Sequence, residues 1–428
     1  MLLMFRVKNF MSFKDESILD MRATSYKQHP SHVMPVEGTK GLLKAAVIYG
    51  ANASGKSNFI AAMHFFVLFV GVQLPSVQSH FVDNHHVRDV FQLIKKPVPF
   101  LLTKSNENPS EFEIAFIRRG KHVQYGFECN DNEILSEWLY IDSKLVFERS
   151  EQVVLGGLYK KYLNGYTKVN KDGLYISTLQ YFLDDHAKDA VILDLIIFTC
   201  YELRVFYQIY EGATVKINAR PGKYGDYTEI LEDDTLRAKV EKYLRIIDIE
   251  LKGLDVETLT AIDEVTGELK ETKMLLARRD IYDDNGNKVG EKHFDLSKES
   301  TGTQYFIAYI QEIIPVIENG GVFVCDEMTT SLHPLLAKLI VDIFTSSDNK
   351  KGQLIFTTHD VSLLNNSQFR RDEVFFVDKN HRGESKLYSL SDLKTREDAS
   401  FSKDYLQGKY GAIPIFNYED DPGGDADA

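Results

Sequence analysis

The chain has 428 residues, of which 43% are hydrophobic and 26% charged, with a formal net charge of −13. That composition reads as an ordinary globular chain, and its acidity argues against a passive nucleic-acid coat, which needs a basic surface, while leaving room for a local basic groove. Three cysteines (Cys129, Cys200, Cys325) give no disulfide framework or paired metal spacing, and the longest apolar run, Phe65 to Val72, is too short for a membrane span, so a cytoplasmic protein without membrane segment or leader is expected.

Leu3, Phe5 and Val7 alternate with polar neighbours and predict a first strand, from which Asn9-Phe10-Met11-Ser12-Phe13 turns away. Residues 24–44, with Pro30, Pro35, Gly38 and Gly41, read as a loop. Then Val47-Ile48-Tyr49 runs into Gly50-Ala51-Asn52-Ala53-Ser54-Gly55-Lys56-Ser57-Asn58, a G-x-x-x-x-G-K-S phosphate-binding loop between an apolar strand and a helix. Two glycines let the backbone bend until its N–H groups point at phosphate oxygens. Lys56 is placed to reach the β and γ phosphates of ATP, and the Ser57 hydroxyl to hold Mg²⁺. The helix from about Lys56 through Phe69 aims its positive end at the same charge. Gly50, Asn52, Ser54, Gly55, Lys56, Ser57 and Asn58 are the nucleotide-binding candidates.

Residues 73–110 read as irregular, and His85-His86 within them as a solvated loop, since no further His or Cys stands at ligand spacing. Phe112, Ile114 and Phe116, then Val123, Tyr125 and Phe127, predict a hairpin with the basic tip Arg118-Arg119-Gly120-Lys121. That tip could meet nucleic acid or a partner, or simply be solvated. Leu236, Val240, Tyr243, Leu244 and Ile247 follow helical spacing closed by Gly253, and the apolar stretch Val191 to Phe206 reads as helix from its length. Residues 139–277 are therefore expected to be a mainly helical insertion. Asp283-Asp284-Asn285-Gly286 marks a turn between two short strands.

Leu296-Ser297-Lys298-Glu299-Ser300-Thr301-Gly302-Thr303-Gln304 precedes an apolar stripe from Phe306 to Ile317 and predicts a helix whose N-terminus can face an anion. Val322-Phe323-Val324-Cys325-Asp326-Glu327 is a buried strand delivering two carboxylates to its carboxyl end: Asp326 for Mg²⁺, Glu327 to polarise the attacking water. Leu354-Ile355-Phe356-Thr357-Thr358 gives a further strand ending at His359, placed to hydrogen-bond a γ-phosphate. Val374 to Val377 and Leu387 to Leu390 are the last strands, and residues 417–428 are expected to be an acidic, disordered tail.

In this order, P-loop, Ser-x-Gly turn, Asp-Glu strand and His strand, the chain resembles the ABC-type ATPase heads of the structural-maintenance, Rad-fifty and RecF group. Over nearly its whole length it more closely resembles the bacterial abortive-infection and phage-defence ATPases of the AAA-fifteen class, nearest the ATPase subunit of the phage anti-restriction-induced system. The residues that carry this are Asn9-Phe10-Met11-Ser12-Phe13, the P-loop, Glu137-Trp138-Leu139-Tyr140, Glu299-Ser300-Thr301-Gly302-Thr303, Ser331-Leu332-His333-Pro334 and Tyr405-Leu406-Gln407-Gly408-Lys409-Tyr410-Gly411-Ala412-Ile413-Pro414. Thr301 and Thr303 depart from the Leu-Ser-Gly-Gly-Gln signature, and Thr329-Thr330 stand where many relatives keep an acid.

The resemblance implies an α/β fold, a P-loop NTPase with an ABC-type head of mixed sheet flanked by helices. Its halves would be residues 1–138 and 278–416 around the insertion. It implies ATP hydrolysis with Mg²⁺ at a head-to-tail dimer interface, where one subunit's P-loop meets the other's Ser300 and Gly302, with higher homo-oligomers possible. It implies a sensor role in phage defence, with a toprim nuclease as partner and a phage-encoded trigger. The rivals are a DNA-repair ATPase of the SMC and RecF kind that binds DNA directly, and a transporter's nucleotide-binding subunit.

Overall fold

The computed structural model describes residues 1–74, 96–104, 108–157, 159–163, 170–182, 191–211, 214–220, 223–224, 227–247, 251–262, 269–330, 332–396 and 399–414. Its spine is an eight-stranded sheet ordered Lys223–Tyr224, Thr214–Arg220, Leu203–Glu211, Gly321–Cys325, Gly352–Thr357, Ala45–Tyr49, Val374–Lys379 and Ser385–Ser389. The five strands from Leu203–Glu211 to Val374–Lys379 pair in parallel, and the outer ones are antiparallel. Ala45–Tyr49 (the P-loop strand), Gly321–Cys325 (the carboxylate strand) and Gly352–Thr357 (the histidine strand) are buried at every position. Continuous apolar runs are what strands covered on both faces require.

A second, wholly antiparallel sheet of seven strands runs Val153–Leu155, Lys144–Arg149, Ile134–Ile141, Lys121–Cys129, Ser110–Arg118, Leu2–Lys8, Ser17–Asp20. The P-loop helix, Lys56–Gln73, lies between the two sheets, which is why its sequence is apolar on every side rather than striped. Phe59 and Phe66 set their rings edge-on to Phe5 at 5.8 and 5.9 Å, and Phe66 and Phe69 stack on Phe127 at 5.6 and 5.2 Å. From the other side Ile48, Val205 and Val324 close the same core. Val47, Tyr49, Phe323 and Phe356 point the opposite way, into a second core under the helices Asp234–Ile247, Thr301–Asn319 and Pro334–Thr345.

Buried polar ties hold the layers. The Gln353 amide accepts from Leu2 N at 2.6 Å and donates to Leu2 O and Leu43 O at 3.1 and 3.0 Å. Glu137, from the Glu-Trp-Leu-Tyr motif, accepts from Tyr125 Oη at 3.0 Å, from Ile176 N at 3.1 Å and from Tyr175 N, and faces Arg149 at 3.5 Å. It therefore caps the helix Tyr175–Phe182 from within the antiparallel sheet. The terminal Tyr-Leu-Gln-Gly-Lys-Tyr-Gly-Ala motif packs behind the P-loop: the Tyr405 ring stacks on Phe376 at 5.5 Å and lies 6.0 Å from Tyr49, and Tyr405 Oη donates to Ala412 O.

The expectation of a mainly helical 139–277 is corrected. The helices Tyr175–Phe182, Val191–Ile197 and Asp234–Ile247 are interleaved there with the strands Lys144–Arg149, Leu203–Glu211, Thr214–Arg220 and Leu251–Ile262, which join both large sheets and a three-stranded one. The boundaries placed at 138 and 277 fall inside the strands Ile134–Ile141 and Leu269–Tyr282. Part of the reason is the apolar run Val191 to Phe206, which is helical to Glu202 and strand from Leu203; an unbroken apolar run carries no period to tell the two apart. The turn at Asp283 to Gly286 joins Leu269–Tyr282 to Lys288–Asp295 as expected, and Gly253 lies in a strand rather than closing the helix.

Two of the three basic side chains of the hairpin tip pair within the chain: Arg118 with Asp194 at 2.8 Å and with Glu202, and Arg119 with Asp194 at 3.3 Å, while Lys121 is exposed. Among the described residues no helix is long and apolar enough to cross a membrane, and the three cysteines are buried free thiols. His85-His86, Ser331 and the acidic tail lie outside the described residues.

Candidate nucleotide site

The P-loop leaves the carboxyl end of its strand, as ligand-binding turns of open α/β sheets do. Its two glycines are required by what passes close by. A Cβ on Gly50 would lie 2.4 Å from Val377 O and 2.6 Å from Ser54 Oγ. Gly55 has φ +116°, and a Cβ there would meet Ser385 Oγ at 2.5 Å and Ser12 Oγ at 2.7 Å. The loop rests on those serines: Ser385 Oγ donates to Ser54 O at 2.5 Å, Ser385 N to Ser12 O at 2.7 Å, and Asn58 Nδ2 to Ser12 Oγ at 2.7 Å. Sequence reasoning missed Ser385 altogether. Ser12 stood in a quoted motif without a role.

A cavity of about 390 Å³ opens over the loop. Its wall is formed by Asn52, Ala53 and Gly55 through Asn58, with Glu327, His359 and Lys379. Gly50, Ser54 and Asp326 are not part of this wall, but Gly50 O accepts from Lys56 and Asp326 is hydrogen-bonded to Ser57; among the described residues the buried Ser54 hydroxyl has no hydrogen-bond partner. Three parallel strands deliver the chemistry: the carboxylate strand Asp326 and Glu327, the histidine strand His359, and the strand Val374–Lys379 its last residue. Lys379 carries no sequence signature and was not predicted.

The charged groups share partners. Lys56 Nζ donates to Gly50 O at 3.1 Å and Ala51 O at 3.2 Å and lies 2.9 Å from His359 Nε2, which is 3.1 Å from Glu327 Oε1. One nitrogen cannot serve both: neutral, it accepts from Lys56; protonated, it donates to Glu327. Burial lowers the Lys56 ammonium, against the pull of Glu327 and Asp326. Burial pushes the Glu327 carboxyl up, yet the His359 hydrogen bond and the nearby charges of His359 and Lys56 hold it below the ordinary carboxylate value. Thr330 Oγ1 donates to Glu327 Oε2 at 3.1 Å, and Glu327 N donates to Thr357 Oγ1 at 2.7 Å. Glu327 itself has φ +51°, a strained left-handed conformation for a non-glycine residue.

The residues present fit Mg²⁺ with a nucleotide. Asp326 is buried, accepts from Thr357 Oγ1 at 2.6 Å and is hydrogen-bonded to the Ser57 hydroxyl; burial raises its carboxyl. A hydroxyl and a carboxylate are hard oxygen donors of the kind Mg²⁺ takes alongside substrate phosphates. Among the described residues no group of three or more His, Cys, Asp or Glu forms an all-protein metal cage.

Ser300 and Gly302 are not in the cavity wall. Ser300 is the exposed N-cap of Thr301–Asn319, its Oγ accepting from Thr303 N at 3.1 Å, and Glu299 is held by Arg279 at 2.9 and 2.6 Å. The turn is fixed and faces outward.

A family model described as "AAA domain, putative AbiEii toxin, Type IV TA system" matches residues 45–171 and 242–365. The similar solved structures include an SMC head bound to the C-winged helix domain of ScpA, with 13% identity, a TM-score of 0.40 and coverage of 95% of this chain and 99% of that one. They include also the SMC head domain from Thermotoga maritima, with 13% identity, a TM-score of 0.41 and coverage of 91% and 98%. No curated protein matches the chain. The mixed sheet flanked by helices, with a P-loop on a central parallel strand, is an α/β P-loop fold, and the family model identifies it as an AAA domain.

Proposed function

The chain belongs to this AAA-domain family, and on that premise we propose that it is the ATP-hydrolysing sensor subunit of a cytoplasmic anti-phage complex that controls a partner toprim nuclease. The observation that carries the ATPase half is the convergence of Lys56, Ser57, Glu327 and His359 on one cavity, with Asp326 hydrogen-bonded to Ser57. The family's description, which names an AbiEii toxin, supports the defence half together with the abortive-infection resemblance of the sequence. The toprim partner and a phage-encoded trigger rest on that resemblance. The SMC and RecF reading, with direct DNA binding, is the weaker one, because both arginines of the basic hairpin tip are paired with Asp194 and Glu202 within the chain.

In this reading Gly50 through Asn58 wrap the phosphates in backbone N–H groups. Lys56 leaves its carbonyl partners for the β and γ oxygens. Bound Mg²⁺, held by Ser57 and by Asp326 directly or through water, would neutralise phosphate charge. Glu327 takes a proton from the attacking water, and His359, released from Lys56, donates to the γ-phosphate and registers its loss. Ser300 and Gly302 complete the site of a second copy, head to tail, through a helix N-terminus aimed at its phosphates.

The experiment is a mixing test joined to a pull-down. Lys56→Ala should abolish ATP binding, and Ser300→Arg should block turnover while leaving binding intact. Mixing the two should restore part of the activity, since one composite site in the mixed dimer is then whole. A proven monomer hydrolysing at the full rate would sink the composite site. Co-expression with the adjacent gene should yield a stable nuclease complex whose toxicity in infected cells depends on Lys56. DNA strongly stimulating hydrolysis, with no protein partner recovered, would instead establish the repair reading.

A further inference from the structure

The strand Val374–Lys379 pairs in parallel with the P-loop strand, Val374 opposite Val47 through Phe376 opposite Tyr49. It passes so close to Gly50 that Val377 O fills the place a Cβ would need. Phe375 and Val377 point to the face that carries the P-loop helix, and Phe376 to the other. The two-residue period then brings Lys379 out on the P-loop face, just past the end of the sheet. A second observation fixes the same direction. Lys379 is paired across the antiparallel edge with Ser385, and opposed residues share a face. Ser385 points its hydroxyl at Ser54 O, directly beneath the loop.

Lys379 thus lines the cavity, solvent-exposed, and among the described residues its ammonium has neither ion pair nor hydrogen bond. The basic side chains Lys14 and Arg382, by contrast, are both held by Glu384. The position along the sheet says which part of a nucleotide it would meet. Glu327 and His359, the groups that mark the γ end, come from strands on one side of the P-loop strand, whereas Lys379 comes from the strand on the opposite side.

We infer that Lys379 is a second phosphate-binding lysine of the site, engaging the nucleotide on the side away from the scissile phosphate, at its α-phosphate. The inference rests on the nucleotide reading of the cavity and deepens it by assigning recognition of the part that ATP and ADP share. A contact made equally in ground and transition states lowers KM without accelerating chemistry.

The test is calorimetric titration of the full chain and its Lys379→Ala and Lys379→Arg variants with ATP and with ADP, at low and moderate salt. An exposed charge-assisted contact is worth roughly a three- to tenfold change in Kd. Lys379→Ala should weaken ATP and ADP by that same factor, with a shallower salt dependence. KM should rise more than kcat changes, and Lys379→Arg should recover most of the loss. Unchanged affinity for both nucleotides at low salt overturns the inference, as does a loss confined to ATP, which would place Lys379 at the γ end. In either case a wild-type chain that binds ATP, and loses it in Lys56→Ala, leaves the nucleotide reading standing. A wild-type chain that binds neither nucleotide removes both.

Discussion

Glu137 and Glu327 are both carboxylates beside a cation, one facing Arg149 in the antiparallel sheet, the other His359 and Lys56 over the parallel one. Around Glu137 both oxygens are occupied by a tyrosine hydroxyl, two helix N–H groups and a guanidinium, and the residue is fully buried. Around Glu327 a cavity opens, the backbone is strained, and one histidine nitrogen is contested by an ammonium and a carboxylate. Burial pushes the Glu137 carboxyl up, whereas at Glu327 His359 and Lys56 outweigh burial and keep it ionised. The same residue types make a knot where every partner is permanent and a working site where partners can be exchanged.

The comparison breaks first, and hardest, at the knot. Glu137→Ala leaves Arg149 buried without its counter-ion and the helix Tyr175–Phe182 without its cap, and should lower the unfolding free energy by about 3–5 kcal/mol. Chemical denaturation measures this, and a loss below about 1 kcal/mol would erase the distinction between the regions. At the open site the order reverses. Glu327→Gln should cut ATP turnover about 10²-fold or more while ATP still binds, and should shift nucleotide-free stability by no more than about 0.5 kcal/mol. Turnover at the wild-type rate would remove Glu327 from the chemistry.

The smallest effect is in pH. A carboxyl held low stays ionised to lower pH, so the contribution of Glu327 is present above its unfolded value and is lost as pH falls through the folded one. The acid limb of kcat/KM due to Glu327 should therefore lie below pH 4.5, the ordinary value for this carboxyl. His359→Ala removes the hydrogen bond that opposes burial, so the limb should move to higher pH and kcat should fall as well. A limb that moves down, or does not move, would show that His359 does not set this carboxyl.

What was legible in the chain was local. The P-loop, the Asp326-Glu327 strand end, the His359 strand end and the Ser300 cap each announce themselves within a dozen residues, because one strand or one helix terminus supplies their chemistry. The mixed sheet with helices on its faces follows from the apolar strands between them. Lys379 and Ser385 reach the site because their hairpin pairs with the P-loop strand more than three hundred residues earlier, Ser12 through hydrogen bonds to Ser385 and Asn58, and single serines and a lysine have no spacing to give them away. The strands Leu203–Glu211 and Leu251–Ile262 escaped for opposite reasons, one starting inside an unbroken apolar run, the other half-exposed and rich in polar residues.

The ties at Gln353 also set an order of birth. Leu2 and Gln353 are 351 residues apart, and the P-loop strand sits between neighbours drawn from 352–357 and 374–379. A ribosome that has made the first three hundred residues has exposed a phosphate-binding motif with no strand on either side of it. The nascent N-terminal part therefore cannot use nucleotide to stabilise itself, and the sheet must wait for residues 352–379. Such long-range closure predicts slow folding, with ATP held only after these distant strands have paired.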